Sequence, residues 1–187
     1  MRRFLVFLVA FALAGCAADP APVASRPENS TPFNDVDVMF LQMGLEQIRQ
    51  GDQVAELAEQ RAVDAQIRAV ATELRGQWRT ESGTMRRWLL GWEQPLTANP
   101  AASAHAGHGD LESIRPADLA ELRAAGGADF DRTALSMLLG HLHNCVETTR
   151  MESGGEYPPA INLAGAMTAA RQSQIQRMLR LAAGPVA

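Results

Sequence analysis

The side chains best able to do chemistry lie in one stretch, Phe130 to Met151, FDRTALSMLLGHLHNCVETTRM. Read as a helix, it sets Met137, His141 and Cys145 at i, i+4 and i+8, on one face. A thioether, an imidazole and a thiol in a row are soft ligands of the kind that suit Cu(I). Methionine and free cysteine are also ordinary core residues, and a histidine among them can be structural, so the spacing fits both readings. His143 lies two residues beyond His141, a rotation of roughly 200° that takes it off that face. His105 and His108 stand three apart in a small, polar, glycine-bearing stretch, where they are either weaker metal-binding candidates or positions in a solvated linker.

Helices must position these groups. The chain has 187 residues, 47% of them hydrophobic, enough for one sizeable core with appendages. With 20% charged residues and a net charge of -4, the composition fits neither a disordered chain nor a nucleic-acid footprint, which needs a basic patch. All 17 basic residues are arginine. Aromatic residues are few, while alanine, leucine and methionine are plentiful, which points to an all-α fold.

A first helix is expected to start at an Asn34 or Asp35 cap. It carries Val38, Leu41, Leu45, Ile48 and Val54 at helical spacing, with Gly51 a weak point. A second opens at Asp64, bears a stripe including Ile67, Leu74, Trp78, Met85 and Leu89, and is halted by Pro95. The short connection between them predicts antiparallel packing. Residues 96–127 read as a linker with a short helix that opens at Pro116 and stops at Gly126-Gly127. Asp129 can cap a long helix through Met151, Gly154-Gly155 break it, and Pro158-Pro159 precede a last helix with Ile161, Ala164, Met167, Ile175, Met178 and Leu179 apolar. Aligning Phe40–Met43 with Ala134–Met137 sets Gln47 opposite His141 and Gly51 opposite Cys145. The expected folded region, 33–183, is thus a four-helix bundle of two pseudo-repeated hairpins, 33–95 and 128–183.

The N-terminal stretch reads as an address. Arg2 and Arg3 precede an apolar run, Phe4 to Leu13, of signal-peptide length, so residues 1–15 are expected to direct export. Leu13-Ala14-Gly15-Cys16 resembles a bacterial lipobox, in which Cys16 is acylated; residues 16–32, rich in alanine and proline, then form a tether. The protein would be held at the outer face of the cell membrane, or at the outer membrane of a source that has one. Ala12-Leu13-Ala14 also reads as an ordinary cleavage site that releases a soluble protein. Lipidation of Cys16 leaves Cys145 without a partner in the chain, and burial is the expected state of its thiol.

The two hairpins resemble the bacterial domain of unknown function 305, whose hallmark is similar to F-L-x-M-M-I-x-H-H-x-x-A near the start of each half. Here the copies read Phe40-Leu41-Gln42-Met43-Gly44-Leu45-Glu46-Gln47-Ile48 and Ala134-Leu135-Ser136-Met137-Leu138-Leu139-Gly140-His141-Leu142. Glu81, Met85 and Trp88 in the first half also fit the pattern. The resemblance implies an exported, ferritin-like four-helix bundle and copper binding by histidine and methionine. Of the four motif histidines only His141 is present, the others being Gln47, Ile48 and Leu142. Gln174 replaces the expected acidic residue. The ligand set this suggests for Cu(I) is Met137, His141 and Cys145, completed by Met43 from the facing helix. The alternative is a degenerate member that keeps the bundle as a structural or interaction module without metal. Catalysis is not expected, because the chain has no inward Glu-x-x-His pair, HExxH, GxSxG or phosphate loop. Beyond a lipid anchor and a metal ion, no partner can be named from the residues.

Overall fold

The computed structural model describes residues 32–183 except 102, 104, 105 and 107–111. Residues 1–31, which hold the expected signal peptide, Cys16 and nearly all of the expected tether, lie outside the described residues, as do His105 and His108. In α1 (Asp35–Arg61) the Asn34 side chain accepts from the amides of Val36 and Asp37, and the Asp37 carboxylate accepts in return from the Asn34 amide at 2.7 Å. This reciprocal pair satisfies donors that a free helix end leaves open. α2 (Ala65–Gly91) opens on Asp64, whose carboxylate accepts from the Gln66 amide. α3 (Pro116–Ala124) starts on proline, followed by α4 (Gly127–Met151), a 3-10 turn (Glu152–Gly154) and α5 (Pro158–Ala183). The fold is all-α, with no strand among the described residues. No helix among them is long and apolar enough to cross a membrane.

Several boundaries differ from the sequence reading, each for a local reason. α2 ends at Gly91, four residues before Pro95. Glu93 adopts a left-handed φ of 56°, and the Gln94 and Glu93 amides bond back to the Leu89 and Leu90 carbonyls, so a Schellman closure stops the helix. α4 is capped at Gly126 and not at Asp129, which lies in the first turn. Gly127 enters that turn at φ 55°, a conformation that favours glycine. Pro158 is itself the first residue of α5, where its missing amide costs nothing. Ile161 and Leu179, expected on the buried stripe, are exposed, and the inward face of α5 is instead Ala160, Ala164, Met167, Arg171, Gln174, Ile175 and Met178. Gly51 does not weaken α1, because it is buried within an unbroken helix.

α1 packs against α2 and α4, and α5 against α4 and, less extensively, α2. Two aspartates fasten the hairpins to one another. The Asp37 carboxylate accepts from the Glu156 and Tyr157 amides in the turn before α5, both at 3.0 Å. The Asp131 carboxylate accepts from the Val63 and Asp64 amides in the turn before α2, at 2.9 and 2.8 Å. The register that pairs Met43 with Met137 also pairs Asp37 with Asp131. Each half therefore uses the same position on its first helix to clamp the turn of the other half, which gives the repeat a structural counterpart.

The interior divides into two apolar clusters. One holds Val54, Ala58, Leu74, Phe130, Leu138, Leu142 and Met178. The other holds Phe40, Leu41, Met43, Met85, Leu89 and Met167. Each fully buried side chain of this size contributes roughly 1.5–3 kcal/mol.

Candidate functional site

Along every long helix the residues between the two clusters are polar or small. On α1 these are Gln47, Gln50 and Gly51, on α2 Gln77 and Glu81, on α4 His141 and Cys145, and on α5 Arg171 and Gln174. They form a polar layer across the bundle, with Trp78 at its edge.

His141 is 1% exposed and sits at the centre of this layer. Its Nδ1 is 2.7 Å from Ser113 Oγ, its Nε2 is 3.5 Å from Cys145 Sγ, and the ring also bonds to the Gln47 backbone. Trp78 meets the imidazole edge-on with centroids 6.0 Å apart. The Ser113 and Ile114 amides donate to Gln50 Oε1 at 3.1 and 3.2 Å, which holds the segment before α3 over the histidine. Gln47 Nε2 donates to Thr148 Oγ1 at 2.6 Å, joining α1 to α4 at the same level. A Cβ at Gly51 would lie 2.5 Å from His141 Nε2 and 2.7 Å from Trp78 Cη2. Only glycine lets both rings approach α1 this closely.

The buried Arg171 guanidinium pairs with Glu81, lies 5.7 Å over the Trp78 ring, and donates to Gln77 Oε1 at 3.5 Å. Gln174 Nε2 donates to the same oxygen at 2.5 Å. Trp78 Nε1, Arg171 Nε and Gln174 Oε1 are buried here without a hydrogen-bond partner. The layer is thus less fully satisfied on the α2–α5 side than around His141.

Burial, reinforced by the positive charge of Arg171, lowers the His141 pKa to about 4, so the imidazole is neutral at ordinary pH. Burial pushes the Cys145 thiol up to about 12, with Arg171 opposing the shift. A buried, protonated thiol is not a nucleophile. It remains a ligand for any soft ion that can displace its proton.

The structure brings His141 and Cys145 together and sets the other candidates apart. Met137 is half-buried at the margin of the first cluster and lines a surface groove with Asp118, Glu121 and Arg132. Met43 is fully buried in the second cluster. His143 is exposed, with its Nδ1 2.8 Å from the Leu139 carbonyl oxygen. Among the described residues no three His, Cys, Asp or Glu side chains converge as a metal-holding group. Sequence reasoning missed Ser113 and Trp78 as neighbours of His141, and Gln50 and Arg171 as members of the same layer. The signal for Arg171 was present: an arginine at the i+4 position after Met167, with Gln174 one turn on, interrupts an otherwise apolar face.

A family model described as "Domain of unknown function (DUF305)" matches residues 37–182. No curated protein matches the sequence. Among solved structures, a DUF305 fragment from Deinococcus radiodurans superposes with a TM-score of 0.71 at 20% identity, covering 82% of this chain and 99% of that one. A candidate secreted DUF305 protein from Streptomyces coelicolor gives 0.69 at 18% identity, covering 76% and 89%. A protein named CopM, in its Cu(II)-bound form, gives 0.66 at 21% identity, covering 79% and 95%. Identities at this level establish a shared fold.

Proposed function

The chain belongs to the DUF305 family, and from that premise we propose that it is an extracytoplasmic, lipid-anchored helical bundle that binds Cu(I) through His141 and Cys145. The observation that carries this reading is the 3.5 Å separation of Nε2 and Sγ inside a buried layer. An imidazole nitrogen and a sulfur at this separation could both reach one soft ion, for which they are the preferred ligand types. The imidazole is already neutral, as a ligand must be, and the Ser113 hydroxyl can accept from Nδ1–H, so that Nε2, which faces Cys145, is the nitrogen that would be offered to an ion. A bound ion would take the place of the Cys145 proton and turn a neutral thiol into a thiolate ligand. Binding and buffering are favoured over catalysis by this protonated, enclosed thiol. The Cu(II)-bound neighbour of the same fold supports copper as the metal, and the candidate secreted neighbour supports a place outside the cytoplasm. Acylation at Cys16 rests on the lipobox; Cys16→Ser should move the protein from the membrane fraction to the soluble one.

A second reading, a metal-free structural or interaction module, has its own observation. Both ring nitrogens of His141 already have protein partners, and Met43 and Met137 lie elsewhere. Titration of the reduced protein with Cu(I) against a chromogenic chelator separates the two. Stoichiometric binding lost in His141→Ala and Cys145→Ser supports the site. No binding by the folded wild-type protein leaves the module reading.

A further inference from the structure

A groove of about 220 Å³ runs between α1 and α2, lined by side chains that the His141 site does not use except for Trp78. Along it α2 places Arg75, Arg79, Ser82 and Arg86 at i, i+4, i+7 and i+11, which is one helix face. The contacts of Gly44 with Met85 and of Gly51 with Trp78 fix the antiparallel register of the two helices and set Arg49 of α1 at the level of Arg79 and Ser82. Arg49, Arg79 and Arg86 are exposed, whereas Leu45 and Trp78 are buried and Ile48 is half-buried. The groove therefore has an apolar floor and a guanidinium rim.

The four guanidiniums of the rim are not alike. Arg75 pairs with Asp52, Glu56 and Glu59, and Arg49 pairs with Glu46. The side chains of Arg79 and Arg86 make neither a hydrogen bond nor an ion pair among the described residues. Three carboxylates on one guanidinium leave excess negative charge at the Arg75 end, where the charge of Arg79, one turn on, is felt at Glu59. Arg86 stands three turns from Arg75, about 16 Å along the helix, and charges are screened over about 8 Å at physiological salt. One end of the groove is thus acidic and saturated, while the other is basic and open.

We propose that the basic end binds a small phosphate monoester, with the phosphate on Arg79 and Arg86 and an apolar substituent on Leu45 and Ile48. Guanidinium forks bond oxyanions bidentately, and a phosphate monoester carries a charge of about -1.5 to -2 at neutral pH, which matches two unpaired arginines where a carboxylate would match one. The groove is smaller than the roughly 300–1,000 Å³ of pockets for drug-sized ligands, so the substituent is short or only partly enclosed. The same chemistry is offered by a soluble phosphate ester and by the headgroup of phosphatidic acid. Neither depends on His141 and Cys145 holding a metal.

Calorimetric titration with phenyl phosphate and with inorganic phosphate tests the site. Phenyl phosphate should bind more tightly, because inorganic phosphate has nothing to lay on the apolar floor. Arg79→Gln and Arg86→Gln alter exposed positions and should each weaken phenyl phosphate binding about five- to tenfold, while Arg180→Gln, exposed in the last turn of α5, should not. Sedimentation with phosphatidylcholine vesicles, with and without phosphatidic acid, is measured on Cys16→Ser protein so that no acyl anchor decides the result. Phenyl phosphate binding weakened in both arginine variants supports a soluble ester. Vesicle binding that requires phosphatidic acid and is lost in Arg79→Gln/Arg86→Gln supports the lipid headgroup. Equal affinity for the two soluble phosphates, binding unchanged in both arginine variants, or no binding of any probe overturns the proposal, and none of these results bears on Cu(I) binding.

Discussion

Replacing Gly51 with alanine tests whether His141 and Trp78 press against α1 as closely as the structure shows. The added methyl would lie 2.5 Å from Nε2 and 2.7 Å from Cη2, both on stiff rings that are themselves buried. Overpacking of this kind costs roughly 1–3 kcal/mol, whereas alanine gains about 1 kcal/mol over glycine within a helix. With two stiff rings to displace at under 3.0 Å, the cost falls in the upper part of that range, about 2–3 kcal/mol, so the net expectation is a loss of about 1–2 kcal/mol, or a fall of roughly 2–8 °C in Tm for a bundle of this size. Gly140 and Gly165 supply the control, since each is exposed on a helix with nothing within 4 Å of its would-be Cβ. Alanine at either should stabilise by about 0.4–1 kcal/mol. Thermal unfolding followed by circular dichroism reads all three. A Gly51→Ala protein that melts at or above the wild-type temperature would refute the close approach, and with it the geometry of the candidate site.

Asp131→Ala removes the acceptor for the Val63 and Asp64 amides and should cost about 1–3 kcal/mol, read as an earlier urea midpoint with unchanged slope. Burial, and then its hydrogen bond to Asp37 and the charge there, raise the Glu152 pKa from 4.5 to about 9. The folded protein therefore holds a proton that the unfolded chain releases, so this contribution to stability is complete below about pH 4.5 and is lost as pH rises towards 9. Glu152→Gln should lose less stability than the wild type between pH 6 and 9; an equal loss in both would count against the buried acid pair. For His141 the sign is reversed. Its folded pKa of about 4 lies below the unfolded 6.5, so stability should rise with pH between those values, and His141→Gln should rise less steeply. Uptake of Cu(I) should release about one proton per ion in weakly buffered solution near neutral pH, a release absent in Cys145→Ser.

The all-α bundle was legible in the sequence because apolar residues recur at helical spacing and because Asn34, Asp64 and Pro116 mark their helix starts by ordinary capping chemistry. Boundaries governed by backbone conformation were not: the left-handed Glu93 that ends α2 has no residue signature as clear as Pro95, and Gly126-Gly127, read as the stop of α3, open α4 instead, since α3 ends at Ala124 on an Ala125 cap. The pairing of His141 with Cys145 followed from i, i+4 spacing within one helix. Met137 fell away because α3 and a surface groove lie on its side, and Met43 because it belongs to the other apolar cluster, several residues along α1. Neither follows from the periodicity of a single helix. The polar layer also escaped the sequence reading, since Gln47, Gln50, Arg171 and Gln174 acquire meaning only when four helices bring them to one level. Sequence alignment of the two halves did place Gln47 opposite His141, and the mutual clamps of Asp37 and Asp131 show that the same register organises both halves.

The central claim is that two side chains, His141 and Cys145, make a soft-metal site inside the bundle. Its most direct test is X-ray absorption at the copper edge of the reduced, Cu(I)-loaded protein, compared with Cys145→Ser. The expected spectrum contains one sulfur neighbour at about 2.2–2.3 Å and one imidazole nitrogen near 2.0 Å, with the sulfur lost in the variant. Copper that is absent after loading, or a sulfur shell unchanged by Cys145→Ser, would contradict the account.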